Sequence, residues 1–120
     1  MTKELSRETF EKPAHLHYKS MFITGFKFYE GAFVFKKLKV GTKLDLIADP
    51  KNQHDDSAVE VHFKGKKIGF IPRAQNYSIS KLLLAGYNVF EAVVQQVCPD
   101  ENPERQVRVG IFIMEVEAVK

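Results

Sequence analysis

The segment from Leu44 to Pro72, LDLIADPKNQHDDSAVEVHFKGKKIGFIP, limits what this chain can fold into more than any other. It reads as strand, polar loop, strand, tight turn and strand. Over residues 43–48, Leu44, Leu46 and Ala48 alternate with Lys43, Asp45 and Ile47. The alternation is imperfect, which suggests a strand partly covered on both faces. Over Ala58–Phe63, Val59, Val61 and Phe63 fall on one face and Glu60 and His62 on the other, the period-2 pattern of a half-buried strand. Lys64-Gly65-Lys66-Lys67 supplies a hairpin turn, with Gly65 free to take positive φ. Ile68–Ile71 pairs back, and Pro72 ends it. Between the first two strands lies Asp49-Pro50-Lys51-Asn52-Gln53-His54-Asp55-Asp56-Ser57, a carboxylate-rich loop. Strands at this spacing describe a small all-β module. A loop held between its buried strands is where such a module keeps its binding chemistry.

The rest of the chain extends the pattern. Met21, Phe22, Ile23, Phe26 and Phe28 predict a first strand over Ser20–Phe28. A long connection follows over Tyr29–Lys43, with Gly31 and Gly41 as bends and Ala32–Phe35 as a short strand within it. Arg73–Ala85 reads as the one helix, with Ile79, Leu82 and Leu83 at i, i+3 and i+4 and Gly86 as its stop. Two strands, Tyr87–Val97 and Gln106–Val116, close the chain around a polar hairpin loop, Pro99–Arg105. Residues 1–19 read as an extension, flexible or packed as an extra strand or turn, because Pro13 opposes a helix through it. Residues 20–118 form the domain. The expected fold is all-β with one short helix, arranged as a small antiparallel β-barrel.

Composition limits the chemistry. At 120 residues the chain is one domain, able to bury roughly two thirds of its unfolded surface. A hydrophobic content of 44% and ten Phe support a packed core. Cys98 is the single cysteine, so no internal disulfide forms; beside Val97 it reads as a small hydrophobe. No run approaches a membrane span, and the first residues lack an apolar signal core, so a cytoplasmic protein without membrane association is expected. The net charge of +3 is too small to argue for nucleic acid by itself. His15, His17, His54 and His62 lack metal-ligand spacing and there is no Cys pair, so no metal or other cofactor is expected. There is no phosphate-binding G-x-x-x-x-G-K loop and no G-x-S-x-G.

Four motifs in order resemble the HIRAN domain family. They are Gly25-Phe26-Lys27-Phe28-Tyr29; Leu38-Lys39-Val40-Gly41-Thr42-Lys43-Leu44-Asp45-Leu46; Asp49-Pro50-Lys51-Asn52 through Asp55 to Ala58-Val59-Glu60-Val61; and Ile68-Gly69-Phe70-Ile71-Pro72. The resemblance runs from about Met21 to Glu117. It implies an OB-like or SH3-like barrel. It also implies a non-catalytic module that captures 3′ ends of single-stranded DNA in repair or processing. The family accompanies helicase-like ATPases, so an ATPase or nuclease is an implied protein partner.

Gripping a free strand end needs an acceptor for the terminal hydroxyl, rings for unpaired bases and cations for phosphates. The resemblance assigns the acceptor to Asp55. The local alternative is that Asp55 bonds backbone amides in a tight turn, and both roles are compatible. Asn52 either reaches the nucleotide or shapes the loop through an Asx turn. His54 stands where some members carry Tyr. Lys27, Phe28 and Tyr29 match a basic–aromatic–aromatic trio. Lys in place of Arg turns a bidentate phosphate grip into a point charge. Strand alternation puts Lys27 and Tyr29 on one face, which favours Tyr29 over Phe28 for DNA contact. Lys36, Lys37, Lys39 and Lys43 form one basic cluster, and Lys64, Lys66, Lys67 and Arg73 another. Brought to one rim they would form a phosphate track, in which Lys66 and Arg73 are the expected contacts. Two other readings compete: a protein-interaction β-barrel, and a metal-dependent phosphodiesterase using Asp49, Asp55, Asp56 and Glu60.

Overall fold

The computed structural model describes residues 15–26, 29 and 34–114. Six strands, β1 (His15–Phe22), β2 (Lys43–Asp49), β3 (Ala58–Phe63), β4 (Lys66–Phe70), β5 (Phe90–Val97) and β6 (Val107–Met114), accompany one α-helix among the described residues, α1 (Tyr77–Leu84). The strands form a single antiparallel sheet in the order β1-β6-β5-β2-β3-β4. None of the described helices is long and apolar enough to cross a membrane.

The sheet turns on β2. Its first two residues, Lys43 and Leu44, pair with Val93 and Ala92 of β5. The next five, Asp45–Asp49, pair with β3. Every strand and the helix then feed one core, with Met21, Leu44, Val59, Val61, Ile68, Val94, Val109, Ile111 and Ile79 all buried in it. A single sheet can bury residues of all its strands in one cluster only by curling. Each fully buried aliphatic side chain stabilises that curl by roughly 1.5–3 kcal/mol.

The curl stops short of the closed barrel expected from the sequence. Among the described residues the two ends of the sheet are bridged only at Thr24 and Phe70, through two N–H···O bonds of 2.9 Å. Gly25, at φ +75°, turns the chain away immediately afterwards, so no continuous ladder forms. Gly69 permits even this contact. A Cβ there would collide with the Ile23 side chain and lie 2.6 Å from the Thr24 carbonyl oxygen.

The elements follow the sequence with local corrections. β1 begins at His15 and ends at Phe22, instead of running from Ser20 to Phe28, because its ladder with β6 extends to His15–Met114 and Gly25 breaks it. Phe35, the last residue of the expected short strand over 32–35, instead opens a 3-10 turn, Phe35–Lys37. Arg73–Gln75 is likewise a 3-10 turn, and α1 starts only at Tyr77. α1 ends as its glycine suggests: Gly86, at φ +94°, donates to the Leu83 carbonyl and Tyr87 to that of Leu82, a Schellman closure. The β3–β4 turn has positive φ at both Lys64 (49°) and Gly65 (84°), the signature of a type I′ hairpin.

Candidate nucleic-acid interface

The loop between β2 and β3 is organised by Asn52. Its Nδ2 donates to Asp49 Oδ2 (3.1 Å), and its Oδ1 accepts from the amides of His54 (2.9 Å) and Asp55 (3.1 Å). This is the Asx geometry that lets a short polar side chain replace backbone pairing. It presents the Asp55 side chain towards the start of α1.

Asp55 is held from three sides. The Ser57 amide donates to Oδ1 (2.9 Å), Asn76 Nδ2 donates to Oδ2 (2.9 Å), and Arg73 Nε lies 3.6 Å from Oδ2. The Asn76 hydrogen bond, then the Ser57 amide, hold the carboxyl below its usual range; partial burial opposes them and the Arg73 charge assists. Asp55 is therefore an ionised, acceptor-only group. Its side chain is 19% exposed, while that of Arg73 is 69% exposed. Arg73 Nη2 also donates to the His54 carbonyl (2.6 Å), tying the 3-10 turn to the loop.

An aromatic corner stands beside this group. The Tyr29 and Phe70 rings meet edge to face, 5.5 Å apart at 71°. The Lys67 ammonium lies 4.6 Å from the Tyr29 centroid and 4.8 Å from that of Phe70. Glu60 anchors it from β3 at 3.6 Å and is itself bonded to His62 Nε2 at 2.7 Å.

Tyr29, Asn52, His54, Asp55 and Arg73 line one cavity of about 220 Å³. All of them were candidates from sequence. Thr24, Ala58, Phe70, Ile71 and Asn76 complete the wall. Asn52, His54, Asp55 and Arg73 also line an adjoining open groove of about 460 Å³ with Gln53 and Asp56. Lys27 and Phe28 lie outside the described residues. Lys66 is not part of the cavity lining; its neighbour Lys67 is the lysine over the rings. Two other lysines of the basic clusters have contacts away from the cavity lining. Lys43 pairs with Glu91 at 2.9 Å beside β5, and Lys64 lies over Phe63. Tyr77 is 65% exposed beneath Lys81, away from the cavity lining.

Sequence reasoning missed Asn76 because it lay inside the expected helix. An Asn directly before Tyr77-Ser78-Ile79-Ser80 is itself a helix-start signal, but that signal predicts a side chain capping α1, whereas the contact with Asp55 is set by the fold. Three of the four carboxylates of the phosphodiesterase reading are taken up separately, Asp49 by Asn52, Asp55 by Asn76 and Glu60 by His62, and Asp56 is exposed. Among the described residues no three His, Cys, Asp or Glu side chains are grouped as metal ligands.

No curated protein sequence matches this chain. Two solved structures are similar in fold. A protein from Lactobacillus plantarum superposes with a TM-score of 0.72 at 22% identity, covering 86% of this chain and 98% of that one. The HIRAN domain of human HLTF gives a TM-score of 0.60 at 17% identity, covering 85% of this chain and 82% of that one. The sequence model of the HIRAN domain matches residues 18–114, which span every strand but the start of β1, the whole of α1 and the complete described lining of the cavity. The chain therefore belongs to the HIRAN domain family.

Proposed function

We propose that this domain captures the 3′ ends of single-stranded DNA. Membership of the HIRAN family supports a DNA-binding module. The observation that carries the finer reading is the meeting of an ionised carboxylate, a guanidinium and two rings on one small cavity. A carboxylate offers roughly four lone-pair sites, of which the short bonds from Ser57 and Asn76 take two. The remainder can accept a terminal hydroxyl. The same negative charge repels a terminal phosphate. Arg73, exposed at the rim, supplies the cation for the first internal phosphate, and Tyr29 with Phe70 offers faces for an unpaired base. The domain acts by binding and has its role in repair or processing, presenting ends to an ATPase or nuclease.

The test compares labelled single strands ending in a 3′-hydroxyl, a 3′-phosphate or no end at all in circular form. Tightest binding of the hydroxyl form is expected, with Asp55→Ala removing that preference. Equal affinity for all three forms would refute end capture.

A further inference from the structure

A second groove, of about 440 Å³, adjoins the end cavity and shares Thr24 with it. The partition is the turn Arg73–Gln75: Arg73 faces the end cavity, and Gln75 lines the second groove. The far wall comes from the β1–β6 pair. Phe22 and Arg108 are direct cross-strand partners, and the Arg108 guanidinium carbon lies 5.6 Å from the Phe22 ring centroid. Val107 and Val109 beside it are buried, so alternation directs Arg108 away from the core. Arg105, exposed at the end of the Pro103–Arg105 turn, adds a second guanidinium. Among the described residues neither arginine has a carboxylate within ion-pair distance. Glu104 is the one acid in the lining, against two cations.

A guanidinium stacked on a ring beside another guanidinium suits a nucleotide chain, with phosphate on the forks and a base on the ring. Extending the end-capture reading, on which this rests, we infer that the bound strand leaves its cavity over Thr24 and the Arg73–Gln75 turn and continues into this groove. Its next phosphates meet Arg105 and Arg108, and a base lies against Phe22. The cations then form one path from Arg73 to Arg108.

Binding of 5′-labelled oligothymidylates with a 3′-hydroxyl, two or eight nucleotides long, tests the path by anisotropy. The variant is Arg105→Gln with Arg108→Gln, which keeps much of each side-chain stem and so limits loss of packing. The wild type should bind the longer strand more tightly. The variant should bind the dinucleotide like the wild type, which also verifies its fold. It should lose roughly fivefold on the longer strand, the scale of two exposed charge interactions. Its log–log salt slope on that strand should fall by about 1.4, or about 0.7 for each phosphate left without its cation. An unchanged length gain and slope would overturn the path while leaving end capture standing. Equal loss on both lengths would overturn it as a general field effect. Failure of the wild type to bind either strand would overturn end capture and the path together.

Discussion

Asn76 Nδ2 donates to Asp55 Oδ2 across 2.9 Å, joining the residue at the head of α1 to a loop residue 21 positions earlier. Asn76 is 2% exposed, and its side chain makes no hydrogen bond to cap the helix. The bond is charge-assisted and largely shielded from water, so removing the donor leaves a carboxylate short of a partner. Asn76→Ala should therefore cost about 1.5–3 kcal/mol of stability. The readout is a lower urea midpoint at constant slope. If Asp55 is the acceptor of the proposed function, the variant should also lose affinity for strands ending in a 3′-hydroxyl and bind 3′-phosphate strands as before. An unchanged midpoint would remove Asn76 from this role.

The same carboxylate gives stability a defined pH dependence. Asp55 is held below its ordinary value of 3.8, first by the Asn76 hydrogen bond and then by the Ser57 amide. As the pH falls, the unfolded chain protonates at this position before the folded one does. The stabilisation is thus complete above that ordinary value and lost as pH falls through the lower folded value. Wild type and Asp55→Asn should differ in unfolding free energy by a constant amount near neutrality, and the difference should change in the acid range below about 4. Urea titrations of both proteins across that range measure it. A difference that stays flat into strong acid would contradict the assignment.

Gly69 governs where the two ends of the sheet touch. A methyl group there meets Ile23 and comes within 2.6 Å of the Thr24 carbonyl, which is backbone and cannot swing aside. Gly69→Ala should cost about 1–3 kcal/mol, the usual scale of overpacking a tight interior. The loss should be local first: amide exchange at Thr24 and Phe70, which bond each other at 2.9 Å, should speed up more than exchange at Val109 in the middle of β6. Uniform exchange across all three would place the strain elsewhere.

The parts of this fold legible in the sequence are those decided by neighbours. The alternation of Val59, Val61 and Phe63, the hairpin at Gly65 and the helix stop at Gly86 all depend on residues a few positions apart. The loop was also legible as a candidate site, because Asn52 and Asp55 carry their chemistry within one turn. Long-range decisions were not. The pairing of His15 with Met114 starts β1 five residues before the predicted Ser20, and nothing local to His15 signals it. Lys67, at the rings, was legible only as one of a basic cluster in which Lys66 was the expected contact, for a similar reason. Strict alternation puts Lys67 and Phe70 on opposite faces of β4. The ladder with β3, however, slips between Val61–Gly69 and His62–Lys67, leaving Ile68 as an extra residue. That bulge brings Lys67 and Phe70 to one face, opposite His62 and Glu60.

The Lys67 cation over two rings yields the last prediction. Its ammonium covers faces that an incoming base would use, at 4.6 Å from Tyr29 and 4.8 Å from Phe70, while Glu60 holds it at 3.6 Å. If a base stacks here, as the proposed function requires, it would displace the ammonium towards the nearest phosphate, and ring and cation would act in sequence on one nucleotide. Tyr29→Ala or Phe70→Ala should weaken single-stranded DNA binding by roughly 1–3 kcal/mol, with little change in salt dependence. Lys67→Gln should instead lower the salt slope by about 0.7 and weaken hydroxyl-ended and phosphate-ended strands alike. That contrasts with Asp55, whose loss should weaken hydroxyl-ended strands while leaving phosphate-ended strands bound as well as before or better. Isothermal titrations at several salt concentrations separate the two behaviours. Tyr29→Ala and Phe70→Ala proteins that bind as tightly as the wild type would rule out this corner as the stacking platform.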